Sequence, residues 1–412
     1  MIARIAARLS DRNRLPRVLN ATIDYVANHP MSLFGRVAAR RLGTPETPGS
    51  TAVTTFPPSE QRVLIAPVNY SGQGRAWSAA IEHAAPSIAA RNMAIDVPGG
   101  FSFVSDLLVP VSVYHNDRLW QRRQLDAVAS HATHVLVEAE EPLFGRLMRR
   151  DLRRQIEALR ERNVHIAFMA HGTDIRLPSR HVTRTPWSLY NDHAVYTPRL
   201  EYLAKHNREI LDRSGGPVFV STPDLLADVS NGIWCPVVVD VSRWQNIERT
   251  RCSSENKLRV VHAPSASVNK GTPLVLPVLD RLHQEGVIEF SLVSGVASED
   301  MPAVFHKADV LLDQFRAGSY GVAACEAMAA GAVVVGHVID DVRDVVKETT
   351  GIELPVIEAT PDTLEQVLRG LAADRNRLDD IRDAGVGFVS EVHDGRLSAH
   401  VLIDSWLKPG TT

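Results

Sequence analysis

The sequence predicts an α/β protein made of two halves, each a parallel sheet covered by helices, preceded by a helical arm. Three observations point to it. Apolar β-branched runs alternate with helical patterns from Arg62 onward, a polar stretch (Val241 to Lys257) interrupts that alternation near its middle, and the residues before it begins are rich in arginine. At 412 residues the chain exceeds one ordinary hydrophobic core, so two domains or three are expected.

Composition narrows the class. With 44% hydrophobic and 23% charged residues the chain reads as globular, and its net charge of -3 hides a basic start: Met1 to Arg41 holds eight arginines against Asp11 and Asp24. Cys235, Cys252 and Cys325 form no CxxC pair and no disulfide framework, which favours a reducing compartment and a cytoplasmic location. No apolar run approaches the ~20 residues a spanning helix needs, and the N-terminus alternates Ile and Ala with Arg instead of building a signal-peptide core.

Residues 1-58 carry short amphipathic segments (Ile2, Ile5, Leu9; then Leu19, Ile23, Val26) and end in the Pro/Ser/Thr linker "TPETPGSTAVTTFPPSE". In the first half, "RVLIAPV", "HVLVEAE", "VHIAFMA", "VFVST" and "WCPVVVD" read as strands buried on both faces. The helix before "VHIAFMA" places Met148, Leu152, Ile156 and Leu159 on one face and Arg146, Arg150, Arg153 and Arg154 away from it. In the second half the strands are "LRVVHAP", "IEFSLVSG", "DVLLDQF" and "AVVVGHV", followed by helices that end at Trp406 and Leu407.

The stretch "DQFRAGSYGVAACEAMAAGAVVVG" is a loop, a helix and a strand. Alanines at 323, 324, 327, 329 and 330 let the helix lie close to neighbouring backbone, and its first turn offers free N–H groups at the positive end of a dipole, suited to phosphate. Glu326, one turn further, is placed to accept hydrogen bonds from sugar or ribose hydroxyls. The plain alternative is a tightly packed helix with a solvated or paired glutamate.

That stretch resembles the signature of the retaining glycosyltransferases of the GT-B fold, family 4 in particular. There a Glu-Gly-Phe-Gly segment precedes Glu-Ala-Met-Ala-x-Gly and a valine-rich strand. The resemblance implies that Glu326 holds the nucleotide ribose and that the backbone of Tyr320, Gly321 and Val322 meets the diphosphate and sugar. The family's first glutamate is replaced by Gly318, with Asp313 or Gln314 to compensate and Ser319 beside it in the cleft. "APSASVNKG" resembles the family's diphosphate loop: Lys270 would neutralise the leaving diphosphate, with Ser265, Ser267 and the amide of Gly271 as donors, and Ser265 stands where the family often has arginine.

In the first half, "HGTDIRLP" puts His171 and Asp174 just beyond a strand, at the edge where open α/β sheets bind ligands. Similar enzymes have a histidine there near the donor sugar. "NYSGQGRAW" is half of a dinucleotide fingerprint, with Trp77 at the third glycine position. By the resemblance Gly72, Gly74 and Arg75 face the cleft, as do Ser221 and Thr222. His181, His193 and His206 lack metal-ligand spacing.

The expected architecture is therefore GT-B: arm and linker 1-58, an N-terminal Rossmann-like acceptor domain 59-245, a C-terminal Rossmann-like nucleotide-sugar domain 246-395, and a C-terminal helix 396-412 packing back on the first domain. The expected activity is sugar transfer from a UDP- or GDP-linked donor to a glycan or polyprenyl-linked cell-envelope acceptor, without cofactor or metal. His171 and Lys270 are the expected catalytic residues. A sugar-nucleotide epimerase or hydrolase, and a non-catalytic sugar-nucleotide or glycan-binding subunit, are the alternatives. The basic arm and the arginines around 146 to 154 suit peripheral contact with anionic lipid, a solvated face or a contact between copies of the chain. Nucleic acid is not expected, because the arginines lack interleaved aromatics.

Overall fold

The computed structural model describes residues 12–98, 103–245 and 257–407. The segment with Ile2, Ile5 and Leu9, the expected domain boundary at 246, and Cys252 lie outside the described residues.

Two all-parallel sheets form the scaffold. The first contains β1 (Gln61–Ala66), β2 (Ile88–Asp96), β3 (Leu107–Pro110), β4 (His134–Glu138), β5 (His165–Ala170), β6 (Val218–Val220) and β7 (Gly232–Trp234). Their spatial order is β3, β2, β1, β4, β5, β6, β7. The second contains β8 (Leu258–His262), β9 (Ile288–Leu292), β10 (Val310–Leu312), β11 (Val333–Gly336) and β12 (Val356–Glu358), in the order β12, β11, β10, β8, β9. β4, β6, β10 and β11 are buried along their whole length, which is why they read as unbroken apolar runs. Strand order reverses between β1 and β4 and between β8 and β10; open α/β sheets take ligands beyond the carboxyl ends at such points.

The chain passes between the sheets twice. The first passage follows β7; the second returns through the helix Asn376–Val392 to the helix Arg396–Leu402 and its continuation Ile403–Leu407. Leu402, Ile403, Trp406 and Leu407 share a buried cluster with Val63, Ile65, Trp77 and Ile81, so the end of the chain completes the core of the first domain.

The arm and linker are not free. Asn116 Nδ2 donates to the carbonyls of Ala39 (2.8 Å) and Gly43 (2.7 Å), and Gly49 N donates to Asp117 (2.6 Å). The linker then runs along the helix Arg118–His131, where Trp120 Nε1 meets the Ala52 carbonyl (2.8 Å) and Gln124 exchanges two hydrogen bonds with Thr54.

The helix expected to carry Met148 begins later, as Leu152–Arg160. Asp151 caps it by accepting from the amides of Arg153 (3.1 Å) and Arg154 (3.4 Å), and just before it Met148, Arg149 and Arg150 take φ of 50°, 64° and 64°. The basic stretch is thereby broken: Arg150 pairs with Glu141 (2.7 Å), and Arg146 turns towards Pro30 and Met31. "WCPVVVD" also keeps strand pairing only up to Trp234. Among the described residues no helix is long and apolar enough to cross a membrane, and Cys235 and Cys325 are free, buried thiols.

Burial pushes four histidines, His115, His134, His181 and His393, down to about 4 from an ordinary 6.5. The unfolded chain takes up protons on them at 6.5 and the folded chain only near 4, so acid favours unfolding through all four. The thermal midpoint should hold above pH 7 and fall as pH drops from about 6.5 towards 4. A midpoint unchanged between pH 7 and 5 would contradict this linkage.

Candidate functional site

In the second domain the site is built at the carboxyl ends of β8 and β10. His262, fully buried at the end of β8, bridges the Leu312 carbonyl (2.8 Å) and the Thr272 hydroxyl (2.8 Å), fixing the loop that follows. That loop exposes Ser265 and Ser267 and ends in the turn Ser267–Lys270. Lys270 Nζ lies 2.5 Å from Asp313 Oδ1 at the end of β10, and the Lys270 carbonyl accepts from Phe315 N (3.0 Å). Asp313 is buried, and its second oxygen has no partner.

The loop 313–319 leads into the helix Val322–Ala329. No side chain caps this helix, and the space beside Gly321 is open. Its first turn thus presents backbone donors to an empty region. Glu326 is half-buried on the next turn, and among the described residues no side chain is hydrogen-bonded to it. Burial pushes its carboxyl up to about 7, against the opposing pull of Arg243 and Lys270. Lys270, Asp313, Arg243 and Glu326 therefore share one electrostatic neighbourhood, to which Arg243 is an addition from the segment after β7.

Loop 313–319 is held by the first domain. Arg316 Nη2 pairs with Asp192 (2.7 Å), and His181, neutral because burial and then Arg176 push it to about 4, donates from Nε2 to the Ala317 carbonyl (3.1 Å). Arg176 and Asp224 form a buried pair (2.6 Å). Further along, Arg184 pairs with Asp341 (2.9 Å) and the Thr185 hydroxyl meets His337 (2.9 Å). Gln314, expected to reach the sugar, instead donates to the Ser319 carbonyl (2.6 Å) and closes its own loop. Ser319 is buried, and Tyr320 sends its hydroxyl to His393 (3.2 Å), so only the Tyr320 backbone is left for a ligand.

Opposite, the edge of the first sheet gathers His171, Asp174, Gly72 and Gly74. Asp174 accepts from the amides of His171 (2.9 Å) and Gly172 (2.5 Å), which makes it the anchor of its loop. Arg75 is drawn from the cleft to Asp106 (3.2 Å). Ser221 ties its hydroxyl to the His171 carbonyl (3.3 Å). His171 Nε2 lies 3.2 Å from an oxygen of Glu138, a fully buried carboxylate at the end of β4. Gly74 makes that carboxylate possible, since a Cβ there would sit 3.0 Å from Glu138 Oε2 and 2.8 Å from Asn92 Nδ2. Glu138 thus rests on the N-terminus of the helix Gln73–Ala84, a favourable place for negative charge. Beside it are Glu140, whose pKa burial and then Asp174 and Glu141 push well up, and Tyr70, raised to about 12 by burial and these carboxylates.

Sequence reasoning missed Glu138 and Arg243. A carboxylate ending the wholly buried strand "HVLVE" was a signal for the first; nothing local marks Arg243.

No protein-family model matches the chain, and no curated protein matches it. Solved structures do. Sucrose-phosphate synthase from Thermosynechococcus elongatus superposes with a TM-score of 0.55 at 12% identity, over 84% of this chain and 98% of its own. Anabaena HepE in complex with UDP and glucose gives 0.52 at 10% identity, over 84% and 98%. WaaG, a glycosyltransferase involved in lipopolysaccharide biosynthesis, gives 0.52 at 11% identity, over 84% and 99%. The likeness shows the fold: this chain has the GT-B architecture of two Rossmann-like domains.

Gly318 has φ of +68°, and a Cβ there would lie 3.0 Å from an Ile339 methyl. Gly318→Ala should cost about 1–2 kcal/mol for the left-handed backbone alone, read as a lower thermal midpoint, and Gly318→Glu at least as much. Unchanged midpoints in both variants would mean that the loop adopts another conformation.

Proposed function

We propose that the protein is a glycosyltransferase that moves a sugar, with retention of configuration, from a UDP- or GDP-sugar to a glycan or polyprenyl-linked acceptor of the cell envelope. One observation carries the reading: Glu326, with no hydrogen-bond partner among the described residues, sits one turn inside an uncapped helix that starts beside the open space at Gly321, within electrostatic reach of Lys270. Those groups match a nucleoside diphosphate, whose ribose hydroxyls would donate to Glu326 while its phosphates take the helix amides and Lys270. The GT-B neighbours, HepE with UDP and glucose among them, support it.

On this reading the diphosphate draws Lys270 from Asp313. The bond from the anomeric carbon to the diphosphate oxygen breaks as the acceptor oxygen adds on the same face, and the acceptor proton passes to a leaving phosphate oxygen. Lys270 and the helix N-terminus stabilise the charge that develops on that phosphate. His171, whose Nε2 lies 3.2 Å from the buried Glu138 carboxylate, is the ring placed to meet a sugar hydroxyl. Closure over the cleft excludes water. The reaction draws on no cofactor or metal in this reading, and it runs in the cytoplasm at the inner face of the membrane.

A second reading, a nucleotide-sugar binder without transfer, is favoured by Gly318 and by the pairing of Lys270 with Asp313.

A panel of UDP- and GDP-sugars should contain one that raises the thermal midpoint by binding the native state. Lys270→Ala and Glu326→Ala should each weaken that binding and slow transfer by about tenfold or more, the size of a lost charged hydrogen bond, with transfer in the wild type persisting in EDTA. Wild-type rates in both variants would sink the site assignment; binding without transfer to any envelope acceptor would favour the second reading.

Because hydroxyl donors favour the ionised carboxylate, the raised pKa of Glu326, about 7, makes binding pH-dependent. Affinity for the nucleotide sugar should fall as pH drops below about 7, by at most tenfold per unit, and Glu326→Gln should remove that slope. An identical slope in the variant would place the titrating group elsewhere.

A further inference from the structure

The arm exposes a face that the fold does not use. In the helix Leu33–Arg40, Gly35 is buried over the carbonyls of His29 and Pro30, where a Cβ would come within 2.6 Å of either oxygen. The small residue therefore faces the turn that precedes its own helix. The large apolar residues face water: Leu33 and Phe34 are each 68% exposed and Val37 50%. At 100° per residue, Arg36, Arg40 and Arg41 fall on the same outward arc, and all three are exposed.

Folding adds further cations to this rim. Arg146 reaches the turn before the helix, with Nε 3.4 Å from Met31 Sδ and Nη2 3.5 Å from the Pro30 carbonyl. Arg118 is exposed nearby. Burial, and then the charges of Arg118, Arg36, Arg150 and Arg40, lower the pKa of Arg146, so these groups lie within electrostatic reach of one another. Glu141 neutralises Arg150 (2.7 Å), while the stretch Leu33 to Arg41 contains no acid.

We propose that the helix Leu33–Arg40, with Arg41, Arg118 and Arg146, is a docking surface for an anionic lipid bilayer. Three apolar side chains enter the headgroup boundary while the arginines around them meet lipid phosphates, the arrangement by which short amphipathic helices hold an interface. Outward arginines also discourage the alternative, a second copy of the same face, because a two-fold contact would set these like charges against each other. The inference deepens the reading above by naming the surface on which a lipid-linked acceptor resides, and it rests on that reading only for its purpose.

Flotation of the full chain with vesicles tests it without needing activity. Phosphatidylcholine vesicles containing phosphatidylglycerol should carry the protein, phosphatidylcholine alone should not, and added salt should release it. Arg36→Glu with Arg40→Glu, and separately Phe34→Asp with Val37→Asp, should each reduce binding at least tenfold at an unchanged thermal midpoint. No flotation of the wild type overturns the proposal, as does full binding by both variants. So does a wild-type dimer, seen by sedimentation, that fails to float and that Phe34→Asp dissociates. Flotation that responds to both variants, in a protein that no nucleotide sugar stabilises, would uphold this surface and sink the transferase reading.

Discussion

The cleft depends on how two separate sheets are fixed to one another, and one buried imidazole ties together the passages of the chain between them. His393 closes the second passage of the chain: its Nδ1 donates to the Val237 carbonyl (2.7 Å), its backbone carbonyl accepts from Val239 N (2.8 Å), and its Nε2 accepts from Tyr320 (3.2 Å). Val238, between those contacts, exchanges two hydrogen bonds with Gln73 (2.6 and 3.0 Å), while Trp77 reaches Pro236 (2.9 Å). One network thus links the first helix of the first domain, both passages and Tyr320, just before the helix Val322–Ala329. Burial holds His393 near 4, so it stays neutral and keeps one donor and one acceptor, as its two partners require.

With the sheets so placed, the chemistry of the cleft follows from carboxylates that the protein only partly satisfies. Glu326 lacks a hydrogen-bond partner among the described residues, Asp313 has one oxygen unpaired, and Glu140 has neither oxygen paired. Buried polar groups are normally paired, and exceptions carry a cost. Glu140 and Asp313 follow the carboxyl ends of β4 and β10, beside the two points where strand order reverses, and Glu326 lies on the helix after β10. A scaffold that could have buried alanines there carries acceptors instead, which suits ligands rich in hydroxyl donors.

The scaffold was legible because burial on both faces writes itself into sequence: β4, β10 and β11 stand out as apolar runs, and the helix at Val322 announces itself by its small residues and Gly331. The arm was less legible. Its composition gave the arginines, but only folding shows Gly35 inward with Leu33, Phe34 and Val37 outward, the reverse of the usual amphipathic order. The helix expected from Met148 was misjudged because apolar spacing outlasts the helix itself, while Asp151 was available as a cap. The remaining misses are matters of partner choice. Arg75 and Gln314 have suitable chemistry and lie close to the cleft, yet Asp106 and the Ser319 carbonyl take their polar atoms. No periodicity encodes which of several nearby acceptors a donor will meet.

That same competition bears on what Gly318 means. A carboxylate at this position would need a left-handed backbone and room that Ile339 occupies, so its absence is fixed by the loop's geometry as much as by chemistry. Asp313 lies one strand end away, bound to Lys270 and with Oδ2 free. If a diphosphate takes Lys270, the buried Asp313 carboxyl loses its cation, a costly state unless donors replace it. Hydroxyls of a bound nucleotide sugar are, on the proposed reading, such donors. On the proposed reading, a ligand that takes Lys270 must therefore also supply Asp313 with a donor, and Asp313 lies five positions before Gly318.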